Sequence, residues 1–336
     1  AVVWTHANVL WAARTGAQHA GLGDDDRFLV HLPLAHVVAL SYSTLATLWA
    51  GGTVIVEPRF SVRRFWPTAV DEQATWTHAI DFVVKALQEE PVPAGHRFRR
   101  WIYGRANSRW DDFYGIPMMG LWGMTEMVSQ PIYFDGVAPV AVDSLGRQAS
   151  EYELRIVDTD ERDVAAGEPG RLLVRGVRGL SVAAGYDAAE HATTGWRPDG
   201  WFDTGDIVER RVCGSLVYVS RGKDVVNVGG ETVYCKEIER AVEFADGVKE
   251  AVAVGIADEL RGEVPVAFVV TDDSATPADE LVAGVHRECE QRLSAYKRPA
   301  RVLVVTDDVP RLASGKPDKA GLRERAESAA PDASVR

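Results

Sequence analysis

Cysteine is scarce in this chain: its 336 residues hold three, Cys213, Cys235 and Cys289. So few, so widely spaced and odd in number, they suit neither a disulfide framework nor a zinc knuckle, and a reducing, cytoplasmic setting fits them best. Basic charge is also short, with 37 Lys and Arg against 49 Asp and Glu, a formal charge of -12. Nucleic acids and anionic membranes need concentrated cations, so neither is an expected partner; a small nucleotide needs only local ones. No apolar run is long enough to span a bilayer, and no basic-then-apolar leader precedes Ala1. Also missing are a Gly-rich run ending in Lys-Ser or Lys-Thr and a Gly-x-Gly-x-x-Gly, the two commonest phosphate cradles. His6, His78, His191 and His286 lack ligand-like spacing and are assigned no metal.

What is present is ample for folding. With 46% hydrophobic residues the chain can build one large and one small domain. Val9 to Gly21 reads as a helix, Phe28 to His31 as a short strand, Leu32 to His36 as a turn and Val38 to Leu48 as an apolar helix. Gly51-Gly52 then turns the chain into a buried strand, Thr53-Val54-Ile55-Val56. This alternation predicts helices layered on a sheet. From about Gly146 the pattern changes, and Tyr152 to Val157 and Gly170 to Gly176 read as strands between Gly, Pro and Asp turns. Beyond Ser220-Arg221-Gly222-Lys223-Asp224, helices at Cys235 to Phe244 and Ala278 to Leu293 alternate with strands at Ala251 to Ile256, Val264 to Val270 and Arg301 to Val305. The predicted fold is a large layered α/β N-terminal domain with a β-rich subdomain (1–222), a small mobile α+β C-terminal domain (223–328) and a flexible tail (329–336).

Four short motifs carry the chemistry. They are Leu121-Trp122-Gly123-Met124-Thr125-Glu126, Trp201-Phe202-Asp203-Thr204-Gly205-Asp206, Arg221-Gly222-Lys223-Asp224 leading into Gly229-Gly230-Glu231, and Ala313-Ser314-Gly315-Lys316. Singly, these are a helix cap, a turn and exposed loops. Together they offer hydroxyls, acids and cations suited to a magnesium nucleotide and a carboxyl-like anion. Their order and separations resemble the adenylate-forming superfamily of acyl-CoA synthetases, adenylation domains and luciferases, over essentially the whole chain.

The resemblance implies attack of a carboxylate oxygen on the α-phosphorus of ATP, giving an acyl adenylate and pyrophosphate. Such chemistry rests on positioning and electrostatics. At the matching positions Thr125 contacts the α-phosphate and Glu126 holds Mg²⁺, for which one carboxylate plus phosphates is sufficient. Trp122 takes the aromatic position that stacks on adenine, its alternative being a core tryptophan. Asp206, read as an acid at the end of a turn, accepts the ribose hydroxyls, and Arg221 reaches the same ribose; a surface ion pair is the alternative for each. Lys316 is the catalytic cation. His36 matches a residue between the acyl pocket and the thiol tunnel, or else is a core histidine. Gly104 lies in Trp101 to Asn107, which resembles the family's Gly-Gly-Ala-Pro loop. Gly229 and Gly230 match a loop along which pantetheine passes, or form a plain β-turn. Lys223 matches the hinge on which the small domain swings. Tyr296-Lys297-Arg298-Pro299 is either a CoA-phosphate contact or a solvated face.

Within the superfamily, Trp-Gly-Met-Thr-Glu is closer to acyl-CoA ligases than to peptide-synthetase adenylation domains, where a proline usually follows the glycine. Gly229 to Glu239 most resembles the crotonobetaine/carnitine-CoA ligase-like branch. The expected activity is ATP-dependent activation of a small acid followed by transfer to CoA, by a monomer or homodimer. Two competing readings are a CoA-ligase-like diazotase that adenylates nitrite for an aryl amine, and a truncated, non-catalytic nucleotide-binding relative. The second arises because Ala1 to Asn8 resembles the segment that directly follows the family's lysine-ended phosphate loop; pieces of the natural protein are expected to be missing. Acid-pocket candidates are Thr77 to Phe82, Gly104 to Asn107 and Gly120 to Leu121, with Asp81 either meeting an amine or capping a helix.

Overall fold

The structure is a computed structural model that describes residues 1–187, 195–229, 231–271, 277–305, 308–312 and 316–328, without the side chain of Lys223. Gly230, Ala313 to Gly315 and the tail at 329–336 lie outside the described residues. The chain folds as two compact units, Ala1–Tyr218 and Val219–Arg336. That division falls just before the Lys223 boundary drawn from the sequence.

The first unit opens with a helix, His6–Ala20. Thr5 and Asn8 close a reciprocal capping box at its start, and Gly21, at φ 64, ends it in the left-handed region. Five parallel strands follow, in the order Thr53–Val56, Arg27–Val30, Trp76–His78, Arg100–Ile102 and Met118–Met119. Successive side chains go to opposite faces. Leu29, Trp101 and Met118 join an aromatic core with Phe65, Trp66 and Tyr114, while Phe28, Ile102 and Met119 join another with Tyr42 and Trp76. Both faces are therefore covered, as a parallel sheet requires. The predicted apolar helix at Val38 to Leu48 differs in winding: Val38–Leu45 is a π-helix that only then tightens to Ala46–Trp49. Hydroxyls supply the reason. Ser43 Oγ and Thr44 Oγ1 donate to the carbonyls of Val38 and Ala39, five residues back, in competition with the α-helical ladder.

A seven-stranded sheet forms the β-rich part, in the order Glu153–Val157, Pro169–Arg175, Phe202–Arg210, Leu216–Arg221, Ser144–Gln148, Ile132–Tyr133 and Leu121–Trp122. Here the structure corrects the sequence. Trp201 to Asp206 is no turn; Phe202–Arg210 is one strand, with Asp206 inside it. Gly205, at φ 67, makes the local irregularity, and the pairing register against Pro169–Arg175 shifts between Arg171 and Leu173.

In the second unit, strands Glu231–Tyr234, Val225–Val228, Gly262–Thr271 and Val248–Asp258 pair in that order, and Arg301–Val305 joins Gly262–Thr271 in parallel. Ile238, Val242, Leu281 and Val285, from helices Cys235–Val242 and Ala278–Arg292, pack with Ala253 and Val269. Leu322 and Ala326, from helix Lys319–Ser328, pack with Val252, Val254 and Phe268. Adjacent strand residues thus face different helix layers. Among the described residues no helix is long and apolar enough to cross a membrane.

Candidate active site

The Thr-Glu motif sits on a short 3-10 turn, Thr125–Met127, directly after Leu121–Trp122. Thr125 is exposed and Glu126 half-buried. Five consecutive carbonyls in this segment each receive a hydrogen bond from a different residue. Trp4 Nε1 donates to Thr125 O at 2.9 Å and the Ala183 amide to Glu126 O at 2.7 Å. Tyr152 Oη donates to Met127 O at 2.8 Å, Ser41 Oγ to Val128 O at 2.5 Å and Tyr42 Oη to Ser129 O at 3.1 Å. Burial raises the pKa of both phenols, so they remain donors at neutral pH. Each bond contributes about 1 kcal/mol net. Jointly they outweigh the cost of Val128, a β-branched residue at φ 50, where such strain is worth about 1–3 kcal/mol. Gly123 serves the same packing: a Cβ there would lie 2.1 Å from Tyr42 Oη and 2.8 Å from Ser129 O.

Glu126 is held from its side chain as well. Tyr186 Oη donates to its Oε1 at 2.7 Å. Tyr186 comes from Gly185–Tyr186, which pairs with Val2–Val3, the strand just before Trp4. Neither aromatic had a local sequence signal, since the bonds they make span 60 and 121 residues.

Trp122 and Asp206, expected on the adenine and the ribose, are directly bonded: the indole Nε1 donates to Asp206 Oδ2 at 2.8 Å. Asp206 is 2% and Trp122 6% exposed. The tryptophan also packs in the β-sheet core with Ile132 and Leu145. The surface ion pair considered for Asp206 is thereby overturned, and Trp122 combines a core position with a bond to a candidate ligand residue.

His36 is exposed, its Nδ1 accepting the Val38 amide at 3.3 Å, and not a core histidine. Among the described residues the buried histidines are His19, His31 and His78, the rings of the last two lying 4.7 Å apart. Burial lowers the pKa of all three, that of His31 to about 4. Gly104 follows strand Arg100–Ile102, and in the same loop Arg105 and Tyr103 both bond the Asp81 carboxylate. Asp81 begins helix Asp81–Ala86 and so combines the helix-start position with a polar cluster. Of the acid-pocket candidates, Thr77 is locked in the core by a 2.8 Å bond to Leu29 O.

In the second unit, Arg221 ends its strand and Lys223 lies in a one-turn 3-10 helix, Gly222–Asp224. Gly229 is exposed at φ 60 in the turn joining Val225–Val228 to Glu231–Tyr234. Lys316 is exposed, its carbonyl accepting the Leu312 amide at 2.9 Å. Lys297 is engaged by both Glu237 oxygens, at 2.8 and 2.9 Å, on a partly exposed face.

The donors fit the implied metal. Thr125 and Glu126 supply hard oxygens, and among the described residues no cluster of three or more His, Cys, Asp or Glu could close around a cation. A cation here would keep water and phosphate ligands, as Mg²⁺ prefers.

A parallel sheet joined to a β-rich part, a separate smaller α+β unit and the four motifs in order define an adenylate-forming architecture. Residues 1–187 match the AMP-binding enzyme family and residues 237–316 its C-terminal domain. The chain belongs to the AMP-binding enzyme family. Crotonobetaine/carnitine–CoA ligase of Shigella flexneri is 31% identical over 324 residues, covering 94% of this chain and 62% of that protein. An Escherichia coli ligase of the same name gives the same values. Among solved structures, the ATP-bound RpMatB-BxBclM chimera B1 superposes with a TM-score of 0.87 at 27% identity, over 97% of this chain and 65% of the other. O-succinylbenzoate Coenzyme A Synthetase (MenE) from Bacillus subtilis, in complex with ATP and magnesium ion, gives 0.82 at 28% identity, over 96% and 66%. The chain thus spans about 62% of the length of the curated relatives it matches.

Proposed function

We propose that this chain carries most of an AMP-forming acid:CoA ligase, which activates a small organic acid as an acyl adenylate and passes it to the CoA thiol. The observation that carries this reading is the fully bonded Thr125–Glu126 segment, since adenylation depends on donors and charges fixed before the reaction. The CoA-ligase relatives and the ATP-bound structural neighbours support the same reading.

In this proposal Thr125 donates to the α-phosphate and Glu126 holds Mg²⁺. When bound, that ion neutralises phosphate charge. Asp206, oriented by Trp122, and Arg221 accept and donate to the ribose hydroxyls, with Trp122 and Gly104 beside the base. Lys316 supplies a compact cation as negative charge shifts among the phosphate oxygens. His36 flanks the path of the acid, Gly229 and Gly230 that of pantetheine. Lys223 is the pivot between a core at 1–222 and a small domain at 223–328.

The test is pyrophosphate release, with a panel of small acids and nitrite, with and without CoA. Acid-dependent pyrophosphate release and CoA-dependent AMP release are the expected results. Release with nitrite and an aryl amine, indifferent to CoA, would replace this reading by the diazotase; no release with any acid would replace it by a non-catalytic relative.

A further inference from the structure

We infer that Tyr186 is a positioning residue for the Glu126 carboxylate, and that its hydroxyl, presented by the clasp of Val2–Val3 with Gly185–Tyr186, tunes the metal affinity of the site. The inference rests on Glu126 being the metal carboxylate.

Three contacts converge on Thr125 and Glu126 from this clasp and its flanks. Trp4 fixes the Thr125 carbonyl, Ala183 the Glu126 carbonyl and Tyr186 the Glu126 side chain. The clasp is itself tied, because the Ala184 amide donates to Val3 O at 3.0 Å. A glutamate with its backbone fixed still has three side-chain torsions. The Tyr186 hydroxyl restricts that freedom by binding one carboxylate oxygen, Oε1.

The chemistry of the donor matters as much as its place. Lys or Arg at this position would cancel the charge that a cation needs. A phenol orients the carboxylate while leaving it a full negative charge. A phenol is a neutral donor at neutral pH, its ordinary pKa being about 10. Outer groups of this kind typically alter metal affinity by about 10- to 100-fold.

The experiment titrates Mn²⁺ into the protein with ATP and follows bound Mn²⁺ by electron paramagnetic resonance, with a melting curve for each variant. Tyr186→Phe is expected to weaken Mn²⁺ binding about 10-fold with little change in Tm. Trp4→Phe removes a clasp bond that does not touch the carboxylate, so it should lower Tm while keeping Mn²⁺ affinity. Glu126→Gln should weaken binding further than Tyr186→Phe. If Glu126→Gln binds Mn²⁺ like the parent, the metal role of Glu126 falls and the inference with it. If Glu126→Gln is weakened but Tyr186→Phe is not, Glu126 keeps its role and Tyr186 loses its own. Equal weakening in Tyr186→Phe and Trp4→Phe would mean that the clasp acts only through folding.

Discussion

The candidate residues of the two units are held in opposite ways. In Ala1–Tyr218 the Thr-Glu segment and Asp206 are fixed: five donors pin the carbonyls of 125–129, Tyr186 takes one Glu126 oxygen, and Asp206 is buried against Trp122. In Val219–Arg336, Gly229 and Lys316 are exposed on turns, while the buried groups serve the sheet and helix core. Groups that must hold a nucleotide gain from a rigid setting, because order established in folding need not be bought again at binding. Groups that act in only one of two half-reactions gain from freedom to arrive and leave. In the proposed ligase the fixed Thr125–Glu126 segment and Asp206 serve nucleotide binding and the exposed Gly229 and Lys316 serve single steps, and four substitutions can break that contrast.

The largest effect is expected from Lys316→Ala. Adenylation should fall on the order of 10²-fold or more, while transfer from a supplied acyl adenylate is largely spared. Because the residue is exposed, Tm should not move. Equal damage to both half-reactions, measured by pyrophosphate release and thioester formation, would end the claim that this unit works in a step-specific way.

Lys223→Pro tests freedom rather than charge. Proline fixes φ, and in the first turn of the one-turn helix Gly222–Asp224 it removes no bond that the turn needs. Pyrophosphate release should therefore persist while thioester formation is lost, with Tm little changed. Intact thioester formation would place the pivot elsewhere.

Sequence made the elements of both units readable where the signal was local. Gly51-Gly52 announced the strand Thr53–Val56, which as the edge of its sheet is exposed to half-buried and not buried as expected, and alternating valines announced the long strands of the second unit. Trp201 to Asp206 misled because Gly205 at φ 67 mimics a turn, while the paired strand Pro169–Arg175 keeps the segment extended. The winding at Val38–Leu45 was hidden because it depends on hydroxyls answering carbonyls five residues away. The carbonyl cradle was illegible for a deeper reason. Its donors, Trp4, Ser41, Tyr42, Tyr152 and Ala183, are scattered along the chain and meet only once the sheet and the helices have packed. Motifs nominate the candidate ligand residues, but what steadies them is tertiary.

Rigidity in the first unit should also be sensitive to acid. His31 is 3% exposed, and burial lowers its pKa from 6.5 to about 4. Above pH 6.5 it is neutral both folded and unfolded, and its titration contributes nothing. As pH falls from 6.5 toward 4 the unfolded chain takes up a proton that the folded chain refuses, and stability is lost. The full loss is about 3 kcal/mol. His31→Leu should lessen this acid dependence, leaving the shares that come from His19 and His78, whose pKa values burial also lowers. Urea midpoints at pH 7.5 and 4.5 for parent and variant give the comparison. Parallel slopes would mean that His31 is not a source of acid sensitivity.

Trp122→Phe is the smallest change and the sharpest for the comparison, because it separates two roles of one ring. Phenylalanine keeps an aromatic face for stacking on a base and most of the core volume, but it lacks the N–H that reaches Asp206 Oδ2. A hydrogen bond to a charged group is worth about 1.5–3 kcal/mol, so the first unit should lose about 2 kcal/mol of stability. If the bond also orients Asp206 for the ribose, the KM for ATP should rise several-fold with kcat little changed, the pattern of lost ground-state binding. A fall in stability with an unchanged KM would make Trp122 a core residue whose bond only satisfies a buried acid. An unchanged Tm with a raised KM would instead show that the Asp206 contact contributes to binding alone. Only the joint change fits a first unit whose ligand groups are steadied by the same bonds that hold its fold together.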